Sequence, residues 1–415
     1  MSPKNKLIEK LGINKGILAL SVARMADAMG NSILFILIPL YVAKLPKEHI
    51  DFAVPILVGI LISLFGFITA IFQPLMGALS DRLNKRKVLI QLGLTLIGVS
   101  TLFFIFADNF LHLLILRTLQ GVGVALTIPA SLSLMTGITE KQSRGGSMGV
   151  YSTFRITGFA IGPVIGGYLQ VHYGFDAAFY LGSGLIFLAM ILVQSWVKEI
   201  KIEVDDNINQ RLKVFDLSLY GSGILTAALA TFTMACCFSM VTTLENEFNA
   251  RLDMTAIGFS IAFSMLMVSR LIFQVPLGHF SDKWGRKPFI LAGLILMGFT
   301  TIALGEVQTM TQLIVVRLLQ GIAAAGIAAP SFALAADLSK TGGEGRQMSV
   351  VTMGFGLGIA VGPLLAGLLT VVFFELPFLI IGAATLIGSW VIYKHMPETV
   401  RGERTLFTYG GPSLD

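Results

Sequence analysis

The chain repeats itself in the same orientation. Phe72-Gln73-Pro74-Leu75-Met76-Gly77, followed by Ser80-Asp81-Arg82, returns as Phe273-Gln274-Val275-Pro276-Leu277-Gly278, followed by Ser281-Asp282-Lys283. At nearly the same offset, Arg117-Thr118-Leu119-Gln120-Gly121 returns as Arg317-Leu318-Leu319-Gln320-Gly321. Gly158, Gly162 and Pro163 return as Gly358, Gly362 and Pro363. A unit written twice must fold twice, so the architecture is set by one half and by how two copies meet.

Composition decides where those halves sit. Hydrophobic residues make up 54% of the 415, charged ones only 13%, and the mean hydropathy is +0.79. A soluble domain carries roughly 25% charged residues, so this chain lacks the polar surface to cover itself in water. Twelve apolar runs of membrane-crossing length are present, over 17–43, 53–79, 87–107, 111–137, 147–171, 176–197, 216–241, 254–277, 288–306, 310–337, 347–373 and 376–395. A run of about 20 residues spans a ~30 Å hydrocarbon core as helix, and a helix satisfies its own backbone. The expected fold is all-α integral membrane, with twelve transmembrane helices in two six-helix bundles related by internal duplication. The expected divisions are a first bundle over 1–197, a cytoplasmic linker over 198–215, a second bundle over 216–395 and a cytoplasmic tail over 396–415. In a membrane chain, a duplicated half points to a transporter with its site between the halves.

The net charge of +6 and pI near 9.3 do not imply a nucleic-acid partner, because the charge is sorted by side. Lys and Arg concentrate in the segments on the N-terminal side of the membrane. The opposite loops hold Lys44, Lys47 and Arg251, and Arg24, Arg117, Arg155, Arg270 and Arg317 lie within runs. This is the positive-inside bias, and it places both termini in the cytoplasm. Residues 1–16 are polar and the first run is too long for a signal peptide. The absence of long loops or targeting segments suits a prokaryotic inner membrane. Cys236 and Cys237 are adjacent, which fits neither a mutual bridge nor a zinc site and reads as packing. The sequence contains no nucleotide-binding loop, metal cluster or nucleophile constellation. We therefore expect no enzyme activity, cofactor or bound metal. The expected partners are a small-molecule substrate, protons and lipids, around a monomer.

The repeated motifs carry a family resemblance. Gly77, Asp81 and Arg82, and again Gly278, Asp282 and Arg286, sit after helix 2 and helix 8. The glycine permits close helix approach, the aspartate can face a helix N-terminus and the basic residues can pair with acids or headgroups. This spacing, found twice among twelve helices, resembles the signature loop of the major facilitator superfamily, with Asn84 in the first copy where a glycine is usual. Gly158, Gly162 and Pro163 in helix 5, matched by Gly362 and Pro363 in helix 11, resemble the family's antiporter motif. Arg117 in helix 4 resembles the arginine linked there to proton coupling, with Gln120 beside it. Helix 1 reads Asp27-Ala28-Met29-Gly30 and then Pro39-Leu40-Tyr41. It is similar to the first helix of the drug:proton antiporter branch, near the tetracycline/proton antiporters, with Ser32 and Ile36 departing from the pattern. The resemblance implies a central cavity between two rocking bundles and a signature loop that sets the conformational equilibrium.

The charges inside the membrane carry the chemistry. Asp27 is the acid placed well inside a helix of the first half, with Arg24 three residues before and Asn31 four after, on one helical face. One reading has Asp27 exchange a proton for substrate; the other has a static Arg24–Asp27 pair. Arg155 and Arg270 either line the cavity or snorkel to the interface, and as cavity residues they suit an anionic or zwitterionic substrate. Helix 7 is uncharged and offers Met234 and Phe238, either as a permissive apolar surface or as packing. Glu245 and Glu247 read as solvated charge at the outer mouth of helix 7. The function expected is secondary active, proton-coupled efflux of small amphipathic compounds. The alternatives are a lipid, lysolipid or anionic-metabolite transporter of the same fold, and a non-transporting membrane sensor.

Overall fold

In a computed structural model, residues 14–45, 52–83, 85–139, 144–199, 221–338 and 344–400 are described. They form twelve long helices. These are α1 (Lys15–Lys44), α2 (Val54–Leu83), α3 (Arg86–Phe103), α4 (Phe110–Ile138), α5 (Arg144–Tyr173), α6 (Phe175–Trp196), α7 (Ser222–Thr243), α8 (Ala256–Trp284), α9 (Arg286–Gly305), α10 (Met310–Leu338), α11 (Glu344–Thr370) and α12 (Leu376–His395). A 3₁₀ turn, Phe104–Phe106, extends α3, and a short helix, Glu245–Arg251, joins α7 to α8. Eleven of the described helices are long and apolar enough to cross a membrane. The remaining one, α5, is diluted by Arg144-Gly145-Gly146-Ser147 and Arg155, and it is packed between α1 and α8.

Local chemistry sets the helix ends. Asn14 and Asn109 cap α1 and α4, each side-chain oxygen accepting a backbone N–H, from Ile17 and His112, at 2.9 Å, which satisfies a donor the first turn leaves orphaned. Gly174 (φ +85°) turns the chain between α5 and α6, and Gly285 (φ +106°) between α8 and α9, a region costly for any residue with a Cβ.

The two halves pack alike. In the first, α1 lies on α5 and α6, α4 on α2 and α3, and α3 on α6. In the second, α7 lies on α11 and α12, α10 on α8 and α9, and α9 on α12. The halves meet through two crossed pairs, α2 with α11 and α5 with α8. We call the face where α1 begins the near face and the face where it ends the far face. Toward the far face, buried apolar side chains of both halves, from Ile33–Val42 of α1 to Met234 and Phe238 of α7, form one continuous core. Toward the near face, the first half keeps a separate core built on Ile17, Leu20, Ile90, Leu94 and Leu134. The molecule is therefore welded at the far face.

The signature motifs begin inside the helices. Gly77 and Gly278 lie inside α2 and α8, which continue to Leu83 and Trp284. The helices run on because each glycine faces a neighbouring helix, with Pro129 at 3.5 Å and Ala329 at 3.6 Å from where a Cβ would stand. Most of the expected linker, and residues 401–415 of the tail, lie outside the described residues.

Candidate functional site

The centre of the site is one face of α1. Asp27 lies about 18 Å from the start of the helix at ~1.5 Å per residue, deep in the span. Its carboxylate pairs with Arg24 and accepts a hydrogen bond from Asn31 Nδ2 at 2.8 Å. The same amide also donates to the Asp27 carbonyl at 3.1 Å. The side chains of Arg24 and Asp27 are 11% and 4% exposed, so the pair is withdrawn from bulk solvent yet not sealed. Ile90 and Leu94 of α3, Thr127 and Ser131 of α4, and Tyr151 of α5 close around it, leaving a void of about 10 Å³, the scale of a single water. Arg24 Nε points into this buried region without a hydrogen-bond partner.

Arg155 of α5 faces the other half, its guanidinium 5.7 Å from the Phe355 ring of α11. It lies within electrostatic reach of Arg24, Asp27 and Tyr151 on its own side and of Arg270 across the seam. Arg270 of α8 is 7% exposed, and its Nε donates to Gln274 Oε1 at 3.2 Å. Among the described residues, neither Arg155 nor Arg270 has an acidic partner. One carboxylate and three guanidinium groups therefore lie within electrostatic reach of one another at or beside the seam, an excess of positive charge that favours an anion. Tyr151 escapes sequence reasoning, although its place four residues before Arg155 puts both on one face of α5. It hydrogen-bonds Ser131 and feels the charges of Arg24, Asp27 and Arg155.

Arg117 and Gln120 lie elsewhere, in a buried cluster toward the far face. Arg117 NH1 donates to Gln120 Oε1 at 3.2 Å, and Gln120 Nε2 donates to Thr101 Oγ1 at 2.9 Å. The guanidinium is fully buried beneath the Phe65 ring at 5.2 Å. The second half repeats it: Arg317 to Gln320 at 2.7 Å, Gln320 to Thr301 at 3.2 Å, and Phe263 at 5.4 Å. Met234 and Phe238 are buried in the far-face core, Phe238 packed 5.3 Å from Phe263.

The glycine–proline stripes bind helices within each half. A Cβ on Gly162 would stand 2.8 Å from the Met29 carbonyl of α1, and on Gly362 2.5 Å from the Cys236 carbonyl of α7. Ser32, where the helix-1 pattern departs, donates to Met29 O at 3.0 Å and reaches Gly158 O at 3.4 Å. Pro163 and Pro363 lie inside α5 and α11.

At the near face, Asp282 pairs with Arg286 at 3.2 Å, and Arg286 pairs with Asp337 of α10 at 2.9 Å. Arg82 is exposed, and the side chain of Asp81, like Asn84, lies outside the described residues. The helix N-termini of α3 and α9 are held by other acids. Glu199 accepts the backbone N–H groups of Arg86 and Lys87 at 2.9 Å, and Glu398 accepts those of Arg286 and Lys287 at 3.0 Å. At the far face, Arg251 pairs with Glu375 at 2.7 Å and holds that carboxyl below its usual range. Glu245 is not solvated as its sequence position suggested: it is fully buried, and burial pushes its carboxyl well above the ordinary value. Among the described residues, no group of three or more His, Cys, Asp or Glu side chains could hold a metal ion.

Comparison with known proteins places this geometry. A family model described as Major Facilitator Superfamily matches residues 20–244 and again 223–408, one match to each half. An uncharacterized MFS-type transporter, YuxJ of Bacillus subtilis (strain 168), is 26% identical over 336 residues, covering 78% of this chain and 84% of the relative. The multidrug resistance protein MdtG of Salmonella schwarzengrund (strain CVM19633) is 26% identical over 291 residues, covering 69% of this chain and 71% of its own. Among solved structures, a bacterial homolog to the human lysosomal transporter Spinster superposes with a TM-score of 0.72 at 16% identity, over 92% of this chain and 98% of that one. A peptide transporter, POT, superposes with a TM-score of 0.73 at 13% identity, over 95% and 98%.

Proposed function

The chain belongs to the Major Facilitator Superfamily, and on that footing we propose that it exports small amphipathic compounds in exchange for protons. It is a multi-pass membrane protein and a secondary transporter of small molecules; the coupling ion, direction and cargo are our reading. The observation that carries it is the Arg24–Asp27–Asn31 cluster, a carboxylate deep in α1 that is paired but not sealed. Burial favours the neutral acid and the neighbouring guanidinium favours the ion. A small change of exposure as the bundles rock therefore transfers a proton. When substrate occupies the seam, the field of Arg155 on Asp27 changes, which ties protonation to occupancy. The multidrug resistance relatives support an amphipathic cargo.

The sorted Lys and Arg support a cytoplasmic near face, with both termini inside the cell's inner membrane. The far-face weld then makes this arrangement closed to the outside. A membrane potential supplies about 2.3 kcal/mol per charge per 100 mV to an exchange that moves net charge.

A second reading has its own support. Arg155 and Arg270, without acidic partners among the described residues, favour a cargo with an anionic or zwitterionic group, such as a lysolipid or acidic metabolite. Purified protein in liposomes holding a pH-sensitive dye tests both. A pH gradient is imposed and lipophilic cations, lysolipids, acidic metabolites and sugars are added in turn. We expect amphipathic compounds to trigger proton flux. Cargo movement without proton flux would overturn the coupling.

A further inference from the structure

The short helix between α7 and α8 seats a carboxylate where the two halves close. Glu245 is 0% exposed, and the side chain of Asn249 is the one polar group beside its carboxyl that favours the ion. The nearby acceptors Glu247 Oε2 and Asn249 Oδ1 are unpartnered. On either side, Leu244 and Phe248 are fully buried, and Phe248 packs against the rings of Phe259, Phe374 and Phe378. The next residue, Asn246, donates its Nδ2 to the Pro39 carbonyl of α1 at 2.8 Å, a hydrogen bond from the second half to the first. Glu245 is thus bracketed by an aromatic core and by the far-face weld itself.

An ionised carboxylate in such a place, with one amide beside it and no cation, is strongly disfavoured. The charged groups of the surrounding elements do not relieve it. Lys44 at the end of α1 lies over the Phe175 ring, and Arg251 is taken by Glu375. Glu247 adds a like charge that opposes ionisation. Among the described residues, α7 carries no charge, Asp253 precedes α8, and the first charge within α8 is Arg270. The neutral acid is the form this geometry accepts.

We propose that Glu245 is a proton-binding site of the far-face closure, separate from Asp27. The site takes up a proton from the far-side compartment as the halves close and returns it as they open. An open far face breaks the Asn246–Pro39 bond and hydrates Glu245, restoring an ordinary carboxylate that is ionised at neutral pH. The closed face binds one more proton than the open one. Acid therefore stabilises closure, and that stabilisation is lost as pH rises through the raised value of the buried carboxyl. This goes beyond the proposed exchange and does not depend on Asp27.

Spin labels at Phe52→Cys and Val372→Cys, both exposed at the far face, report opening in nanodiscs by distance measurement. In this background we expect the open-to-closed ratio to rise with pH by up to about tenfold per unit, as one linked proton allows. Adding Glu245→Gln should hold the far face closed and flatten that dependence, whereas adding Asp27→Asn should leave the Glu245 limb in place. Glu245→Met, neutral and apolar, serves if the glutamine variant folds poorly. Infrared spectroscopy should show a protonated carboxylic acid band at neutral pH that disappears in either Glu245 variant. An unchanged pH dependence without Glu245, or sodium at fixed pH closing the face as acid does, would overturn the proposal.

Discussion

Glu398 accepts the backbone N–H of Arg286 at 3.0 Å, tying the segment after the last helix to the start of α9. Glu199 does the same for Arg86 at 2.9 Å in the first half. Each carboxylate reaches the positive end of a helix dipole whose own cap position offers no side-chain hydrogen bond. Replacing either acid by Ala should cost about 1 kcal/mol, the usual worth of a helix cap. Thermal unfolding in detergent should fall for each variant, and the two losses should add, since the sites lie in different halves.

Gly162→Ala should destabilise the first half, because its Cβ would meet the backbone carbonyl of Met29 at 2.8 Å. Overpacking of this kind costs about 1–3 kcal/mol. Gly184→Ala, with nothing within 4 Å, is the control and should retain or gain stability. Equal melting of the two variants would contradict a tight α1–α5 contact.

Gln120→Leu removes the hydrogen-bond partner of a fully buried guanidinium, Arg117. Losing a hydrogen bond to a buried charge costs about 1.5–3 kcal/mol. Folded yield should fall sharply for Gln120→Leu and equally for Gln320→Leu, its counterpart in the second half.

Arg155→Met should weaken anionic amphiphiles more than neutral ones. Losing one charge-assisted hydrogen bond, about 1.5–3 kcal/mol, corresponds to roughly ten- to a hundredfold in apparent affinity. Equilibrium binding of a lysolipid and of a neutral detergent to the same variant separates this from general damage.

The duplication, the twelve helices and the Arg24–Asp27–Asn31 face were legible in the chain, because hydropathy and i, i+3, i+4 spacing report burial and helical neighbours directly. Helix ends were less so. The close approach that Gly77 and Gly278 permit was legible, but its partners, α4 and α10, were not. Glu199 and Glu398 look like solvated charge because their partners are backbone groups over a hundred residues away. Glu245 misled for a related reason: its position in a short connection suggests water, and only the closing of two halves removes it. Tyr151 stands four residues before Arg155, a spacing that shows a shared face but not the charges of α1 that meet it there.

Asp27→Asn keeps one of the two side-chain acceptors that Arg24 and Asn31 use while removing the titrating proton. Substrate-triggered proton flux in liposomes, compared between wild type and this variant at matched folded content, tests the central claim most directly. Proton flux should vanish while the variant still binds substrate. Proton flux that persists unchanged in Asp27→Asn would contradict it.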